Sequence, residues 1–227
     1  MHFHVISLFP KSFDSYLGES ILKRAIEDKK LKVFFYNPRD FASSDFGDNK
    51  KSNTKNKWAN KRIDRPPYGG GPGMVIQAEP VARSIDFALK KAKGRAKIIL
   101  LSPRGKGFTN EYAKKIAQKN EHVILVCGRY EGIDARIKKI FKMDEISVGP
   151  YILTGGELPA MILIDVISRQ VAGILGNYDS LEERRVSTSL VYTRPESFLY
   201  KKKMYKVPKI LLSGDRAKIE EWKKTKK

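Results

Sequence analysis

An α/β fold built on a parallel sheet is expected for this chain. Three features carry that expectation: short apolar runs of strand length, longer helical patterns between them, and glycine-bearing loops where runs end. The runs lie at residues 5–9, 33–36, 98–101 and 123–126, with a weaker one near 145–148. They are rich in β-branched residues and barely alternate, as strands buried on both faces do. Between them, residues 12–28 place Phe13, Tyr16, Leu17, Ile21 and Leu22 near one helical face. Residues 80–93 open with Pro80, tolerated in a first turn where the missing N–H costs little. Residues 111–118 and 135–141 predict two shorter helices. Residues 159–171 are so rich in Met, Ile, Leu and Val that a helix buried nearly all round is expected. Strands alternating with helices define the α/β class.

The chain has 227 residues, enough for one sizeable domain or a main domain plus a small one. With 41% hydrophobic and 31% charged residues it can build a core. Its formal net charge of +20 argues for a polyanionic partner, because neutralised phosphates release counterions. A single cysteine, Cys127, excludes an internal disulfide and a cysteine metal cluster. His2, His4 and His122 lack zinc-motif spacing, and His2 and His4 alternate with apolar residues at the start of a strand, as structural groups would. No apolar run approaches the ~20 residues of a membrane span, and no secretory leader is legible. A soluble, cytoplasmic protein with no membrane partner is expected.

Two segments interrupt the pattern. Residues 43–67 are polar and basic, and read as a loop. Trp58 within it has two roles open, stacking on a base or anchoring the loop. Residues 176–189 carry acids followed by Arg184 and Arg185, and separate the main body from a basic tail. Ser213 is placed to cap the last helix, with Asp215 near its positive end.

The chemistry concentrates in glycine loops: PYGGGPGM at 67–74, LLSPRGKG at 100–107, VCGRYEGID at 126–134 and VGPYILTGGELPAM at 148–161. Glycine lets backbone approach a ligand with no Cβ in the way. In parallel α/β folds ligands bind at the carboxyl ends of strands, where two of these loops begin. Neither the phosphate-binding G-x-x-x-x-G-K-[ST] nor a G-x-G-x-x-G after the first strand is present, which disfavours kinase, GTPase and dinucleotide functions. Glu131 and Glu157 beside such loops suit a cationic or hydroxyl-bearing ligand, such as an adenosyl sulfonium.

The motifs PYGGGPGM, LSPRG, CGRYEGID, GGELPAM, GILGN, YTRP and LLSGDRAKIEEW occur in one order over nearly the whole chain. HVISLFPKSF and NPRDF precede them. Together they closely resemble the bacterial tRNA (guanine-N1)-methyltransferases of the SPOUT superfamily. The resemblance implies a SPOUT-type parallel sheet with a trefoil knot in residues 1–171. A linker over 172–191 and a small, shortened, basic helical C-terminal domain over 192–227 would follow. It implies a homodimer whose active sites combine the cofactor pocket of one subunit with linker and C-terminal residues of the other. It implies tRNA as substrate and S-adenosyl-L-methionine as methyl donor, with Mg²⁺ as a further requirement. On the family pattern the donor pocket takes Leu100, Leu101, Ser102 and Pro103 from one loop. Gly128, Tyr130 and Glu131 come from the next, and Val148, Gly149, Tyr151, Leu153, Gly155, Gly156 and Pro159 from the third.

Guanine N1 carries a proton, so a carboxylate within hydrogen-bond reach serves as general base. Charge then grows on O6, where an arginine donor stabilises it. The family's arginine maps onto Arg169, whose alternative role is that of a helix-end cation. The family's linker base lies in S-x-x-E-D-S-F, whereas this chain reads SLEERRV; with one residue deleted, Glu183 takes its place. Glu182 and Asp179 remain alternatives, as does a solvated acidic turn. Pro150 replaces an acid of the family's IGDY. Tyr192, Thr193 and Arg194 are expected to support the tRNA side of the site, with a purely structural role also open for Tyr192. Two other functions compete: an RNA-binding protein without catalysis, and a related enzyme acting on ribosomal RNA or another tRNA position.

Overall fold

The computed structural model describes residues 1–42, 62–175 and 190–225. The chain divides into two compact units, Met1–Ile174 and Leu175–Lys227. In the first unit the order is β1 (His2–Ile6), α1 (Asp14–Leu17), α2 (Ser20–Glu27), β2 (Lys32–Tyr36), β3 (Asp64–Arg65), β4 (Val75–Ile76), α3 (Ala78–Lys91) and β5 (Ala96–Gly107). It continues with α4 (Asn110–Lys119), β6 (His122–Cys127), α5 (Ile137–Ile140), β7 (Asp144–Ser147) and α6 (Glu157–Arg169). Five strands form a parallel sheet in the order β2-β1-β6-β5-β7. The β3–β4 pair is a separate two-residue ribbon.

The two faces of the sheet have separate cores. Phe3, Val5, Ile99, Leu101, Val123 and Leu125 pack with Ala113 and Ile116 of α4 and Leu163, Ile164 and Ile167 of α6. Ile6, Ile98, Leu100, Ile124 and Val126 pack with Val81, Ile85 and Ala88 of α3 and Ile137 of α5. Strand β6 is buried at every position, which is why its sequence shows no alternation. In α6, only Leu158 is exposed.

Three expectations need correcting. The first strand is His2–Ile6, not 5–9: Pro10 opens a 3-10 turn over Pro10–Phe13, and Phe9 precedes it. The single helix over 12–28 is broken between Leu17 and Ser20. Ser20 has φ 51°, which a continuous right-handed helix cannot contain. Asp215, not Ser213, caps the final helix: its carboxylate accepts from the Lys218 N–H at 3.2 Å, while the Ser213 hydroxyl donates to the Ile210 carbonyl.

The second unit, within its described residues, is not purely helical. It holds an antiparallel hairpin of β8 (Ser197–Tyr200) and β9 (Lys203–Lys206), and α7 (Arg216–Thr225). Lys201 and Lys202 turn the hairpin at φ 46° and 63°. No helix among the described residues is long and apolar enough to cross a membrane.

The polar start of β1 is explained by a buried histidine cluster. His4 Nε2 meets His122 Nδ1 at 3.0 Å, and His4 Nδ1 meets the Tyr36 hydroxyl at 2.9 Å. Burial, then the charges of His122 and His2, push His4 down to about 4. Between the ordinary pKa of 6.5 and about 4, the unfolded chain binds a proton that the folded chain refuses. Stability is therefore fully present above this window and falls as pH drops through it, by up to about 3 kcal/mol. Urea unfolding at pH 7 and pH 4.5 checks this, and His4→Gln is expected to flatten the pH dependence.

Candidate active site

A cavity of about 430 Å³ opens where β5, β6 and β7 end, a volume in the range of small-molecule sites. Strand β5 makes its first wall. Its register against β7 shifts, so that Leu101 and Lys106 both pair with Ile146. The intervening SPRG segment bows out and brings Ser102, Pro103 and Arg104 to the cavity. The return is close: a Cβ on Gly105 would stand 2.5 Å from the Ile146 backbone nitrogen.

The loop after β6 makes the second wall, with Gly128, Tyr130, Glu131 and Gly132. Tyr130 is held at φ 59°, a strained conformation of the kind that collects at functional sites. The loop after β7 makes the third, with Val148, Tyr151, Leu153, Gly155, Gly156 and Pro159. Here two backbones nearly touch. The Gly156 N–H donates to the Gly128 carbonyl at 2.8 Å, and a Cβ on Gly156 would lie 2.6 Å from Cys127 Cα. Only glycine lets α6 start this close to the exit of β6.

Thirteen of the fourteen donor-pocket residues named from the sequence line this cavity. Gly149 does not; its missing Cβ position is filled by the ring of Tyr151, whose hydroxyl donates to the Val148 carbonyl at 3.2 Å. Among the wall residues that the sequence did not point to are Arg104, Lys138, Glu145 and Ser147. Arg104 was legible inside LSPRG. Lys138 and Glu145 had no local signal, because α5 and β7 bring them to the site from elsewhere. They pair at 3.0 Å. A hydrogen bond from Ser102, then the Lys138 ammonium, holds the Glu145 carboxyl below its usual range.

Glu157 departs from expectation. It is 3% exposed and is not on the cavity wall. One oxygen accepts from the Ser7 hydroxyl at 2.7 Å and the other from Arg129 Nε at 2.8 Å. Arg129 also donates to the Thr154 carbonyl at 3.3 Å and lies over the Phe9 ring, 4.6 Å from its centroid. Glu157 is thus an internal tie between β1, the β6 exit and α6. Burial, then the Glu157 charge, push the Cys127 thiol well up, so it is no nucleophile.

Arg169 ends α6, half-buried, one turn beyond Asp165, which accepts from the Tyr16 hydroxyl. The rise of α6 places its backbone about 18 Å along the helix from Glu157. Within one chain, Arg169 and the cavity are therefore at opposite ends of α6. Trp58, Asp179, Glu182 and Glu183 lie outside the described residues. Among the described residues no group of three or more His, Cys, Asp or Glu side chains is placed to hold a metal ion. No dedicated cage for Mg²⁺ is therefore formed by these residues, and no step is assigned to the ion.

Comparison with known proteins fits this arrangement. The chain is 42% identical over 229 residues to a tRNA (guanine-N(1)-)-methyltransferase of Clostridioides difficile, covering 99% of this chain and 91% of that protein. It is 44% identical over 230 residues to the enzyme of that name from Caldanaerobacter subterraneus, covering 100% and 86%. It is also 44% identical over 225 residues to the one from Pseudoalteromonas atlantica, covering 97% and 78%. The family model described as tRNA (Guanine-1)-methyltransferase TrmD matches residues 1–227. With its glycine-walled cavity and a match along its full length, the chain belongs to the tRNA (guanine-1)-methyltransferase family, TrmD.

Proposed function

We propose that this chain transfers a methyl group from S-adenosyl-L-methionine to N1 of the guanine 3′-adjacent to the tRNA anticodon, position 37, and acts as a cytoplasmic homodimer. The observation that carries the proposal is the convergence of three glycine loops on one cavity at the carboxyl ends of adjacent parallel strands. The cavity suits the donor by size and by its backbone-rich walls at Gly128, Gly155 and Gly156. When bound, the donor supplies an electrophilic methyl on a sulfonium. Leu100, Leu101, Ser102 and Pro103 are assigned to the adenosyl group together with Tyr151 and Leu153. Glu131 is the wall carboxylate suited to a hydroxyl or cationic part. The trefoil knot belongs to the same proposal, and is supported by the clustering of these loops within residues 96–169.

The protein's own part is to position guanine, remove the N1 proton and steady O6. Arg169 is assigned to O6. The distance along α6 supports a dimer in which a second copy brings its Arg169 to the cavity. The base is assigned to Glu183, with Glu182 or Asp179 as the alternatives. The net charge of +20 supports a tRNA partner.

The test is labelled-methyl transfer to a tRNA transcript, with the product nucleoside mapped. N1-methylguanine next to the anticodon is the expected product. A methyl elsewhere, or none, overturns the proposal. Glu183→Gln is expected to lower kcat by about 100-fold or more with tRNA affinity little changed, the scale of a lost general base. Full activity in that variant would move the base to Glu182 or Asp179, which the corresponding amides then test.

A further inference from the structure

The loop at 67–74 is not explained by the donor pocket, since none of its residues lines the cavity. Yet it is docked on the cavity's rim. A Cβ on Gly73 would stand 2.7 Å from Glu131 Oε1, and the Glu131 N–H donates to the Met74 carbonyl at 3.0 Å. The Ile76 N–H donates to the Gly132 carbonyl at 3.0 Å. Glu131 and Gly132 are themselves wall residues.

From this loop the Tyr68 side chain projects fully into solvent, at 102% exposure. Most surface tyrosines rest one face of the ring on a neighbour, because the ring is a large apolar surface. Among the described residues none covers the Tyr68 ring. Its flanks shape the turn that presents it. Pro66 and Pro67 precede it, and the Gly70 N–H donates to the Pro67 carbonyl at 3.3 Å. Gly69, Gly70 and Gly71 follow at φ 87°, 81° and 110°, a path that side-chain-bearing residues rarely take.

Two exposed arginines flank the loop. Arg62, paired with Asp64 at 3.4 Å and reaching Met74 Sδ at 3.8 Å, keeps 55% of its side chain exposed, and Arg136 keeps 70%. The Arg136 guanidinium, held by Asp134 at 2.7 Å, lies near enough to the Tyr68 phenol to couple with it electrostatically. A bare aromatic ring among arginines, beside a cavity mouth, has the two parts that single-stranded nucleic acid requires: a stacking face and phosphate-binding charge. A base whose N1 is to be alkylated must leave its stack, and needs a substitute surface.

We infer that Tyr68 is a stacking platform for a base of the RNA strand as it enters the cavity, and so a substrate-contacting residue outside the donor pocket. The inference deepens the methyltransferase proposal above and rests on it. A protein partner for the same ring is disfavoured by the arginines and by the net charge of +20.

The experiment uses the full chain and a tRNA transcript, natural or with 2-aminopurine at the target guanine. Tyr68→Ala is expected to lower kcat/KM for tRNA by about 5- to 150-fold, the range of one lost base–aromatic stack. Its melting temperature and its affinity for S-adenosyl-L-methionine stay native. Tyr68→Phe keeps the ring and stays near native. Binding of the 2-aminopurine transcript quenches its fluorescence in the native protein and in Tyr68→Phe, but not in Tyr68→Ala. The inference is overturned if Tyr68→Ala matches native kcat/KM, or weakens donor affinity as much as tRNA turnover. It is also overturned if Tyr68→Phe is as impaired as Tyr68→Ala, or if Tyr68→Ala changes oligomeric state. A native chain that transfers no methyl refutes the function proposed above, while the quench still reports on stacking.

Discussion

Gly156→Ala is expected to lower methyl transfer by about 100-fold or more, and stability by about 1–3 kcal/mol, the usual cost of overpacking. The new Cβ would lie 2.6 Å from Cys127 Cα, 2.9 Å from Cys127 Cβ and 3.0 Å from the Gly128 nitrogen. Two of these three are backbone atoms of β6 and its exit, so no side chain can swing aside. The start of α6 must move outward instead. That shift lengthens the Gly156–Gly128 hydrogen bond and displaces Gly155 and Pro159 on the cavity wall. Gly107→Ala is the control, because its Cβ would meet nothing within 4 Å. It is expected to change stability by less than about 0.5 kcal/mol. Thermal melts and transfer rates of the two variants, side by side, separate the steric effect from the loss of a glycine as such.

Glu157→Ala is expected to cost about 3–5 kcal/mol, as removal of one partner from a buried ion pair does. The Glu157 side chain is 4% exposed and that of Arg129 24%. Alanine leaves the guanidinium without its carboxylate and the Ser7 hydroxyl without its acceptor. Glu157→Gln keeps the shape and an acceptor for Ser7, and is expected to cost less. Urea unfolding at pH 7 measures both. A double-mutant cycle with Arg129→Met isolates the pair, and a coupling below about 0.5 kcal/mol would show that Glu157 acts through Ser7 instead.

Legibility in the sequence followed local against tertiary causes. Strands β5 and β6 were plain because burial on both faces leaves continuous apolar runs, and α6 was plain for the same reason. The start of β1 showed in the alternation of His2 and His4 with apolar residues, while its end was carried too far, to Phe9, because the chain leaves the sheet after Ile6 ahead of the turn that Pro10 opens. The hairpin β8–β9 carried no Asn-Gly or Asp-Gly signal, since Lys201 and Lys202 make its turn. At the site, the glycine loops stood out as motifs, and thirteen of the fourteen residues named from them meet at the cavity. The side chains between them were harder. Glu157 looked like a ligand carboxylate and is a structural tie, while Lys138 and Glu145 reach the wall only through the packing of α5 and β7. The distance from Arg169 to the cavity follows from helix length, but which end of α6 meets the glycine loops is a fact of topology.

Crystals of the native chain soaked with S-adenosyl-L-homocysteine test the site most directly. The account predicts one molecule per chain between the Ser102–Pro103 segment, Gly128 and the Gly155–Gly156 turn, its adenine against main chain. Density for the compound at any other place on the protein, with those turns unchanged around solvent, would contradict it.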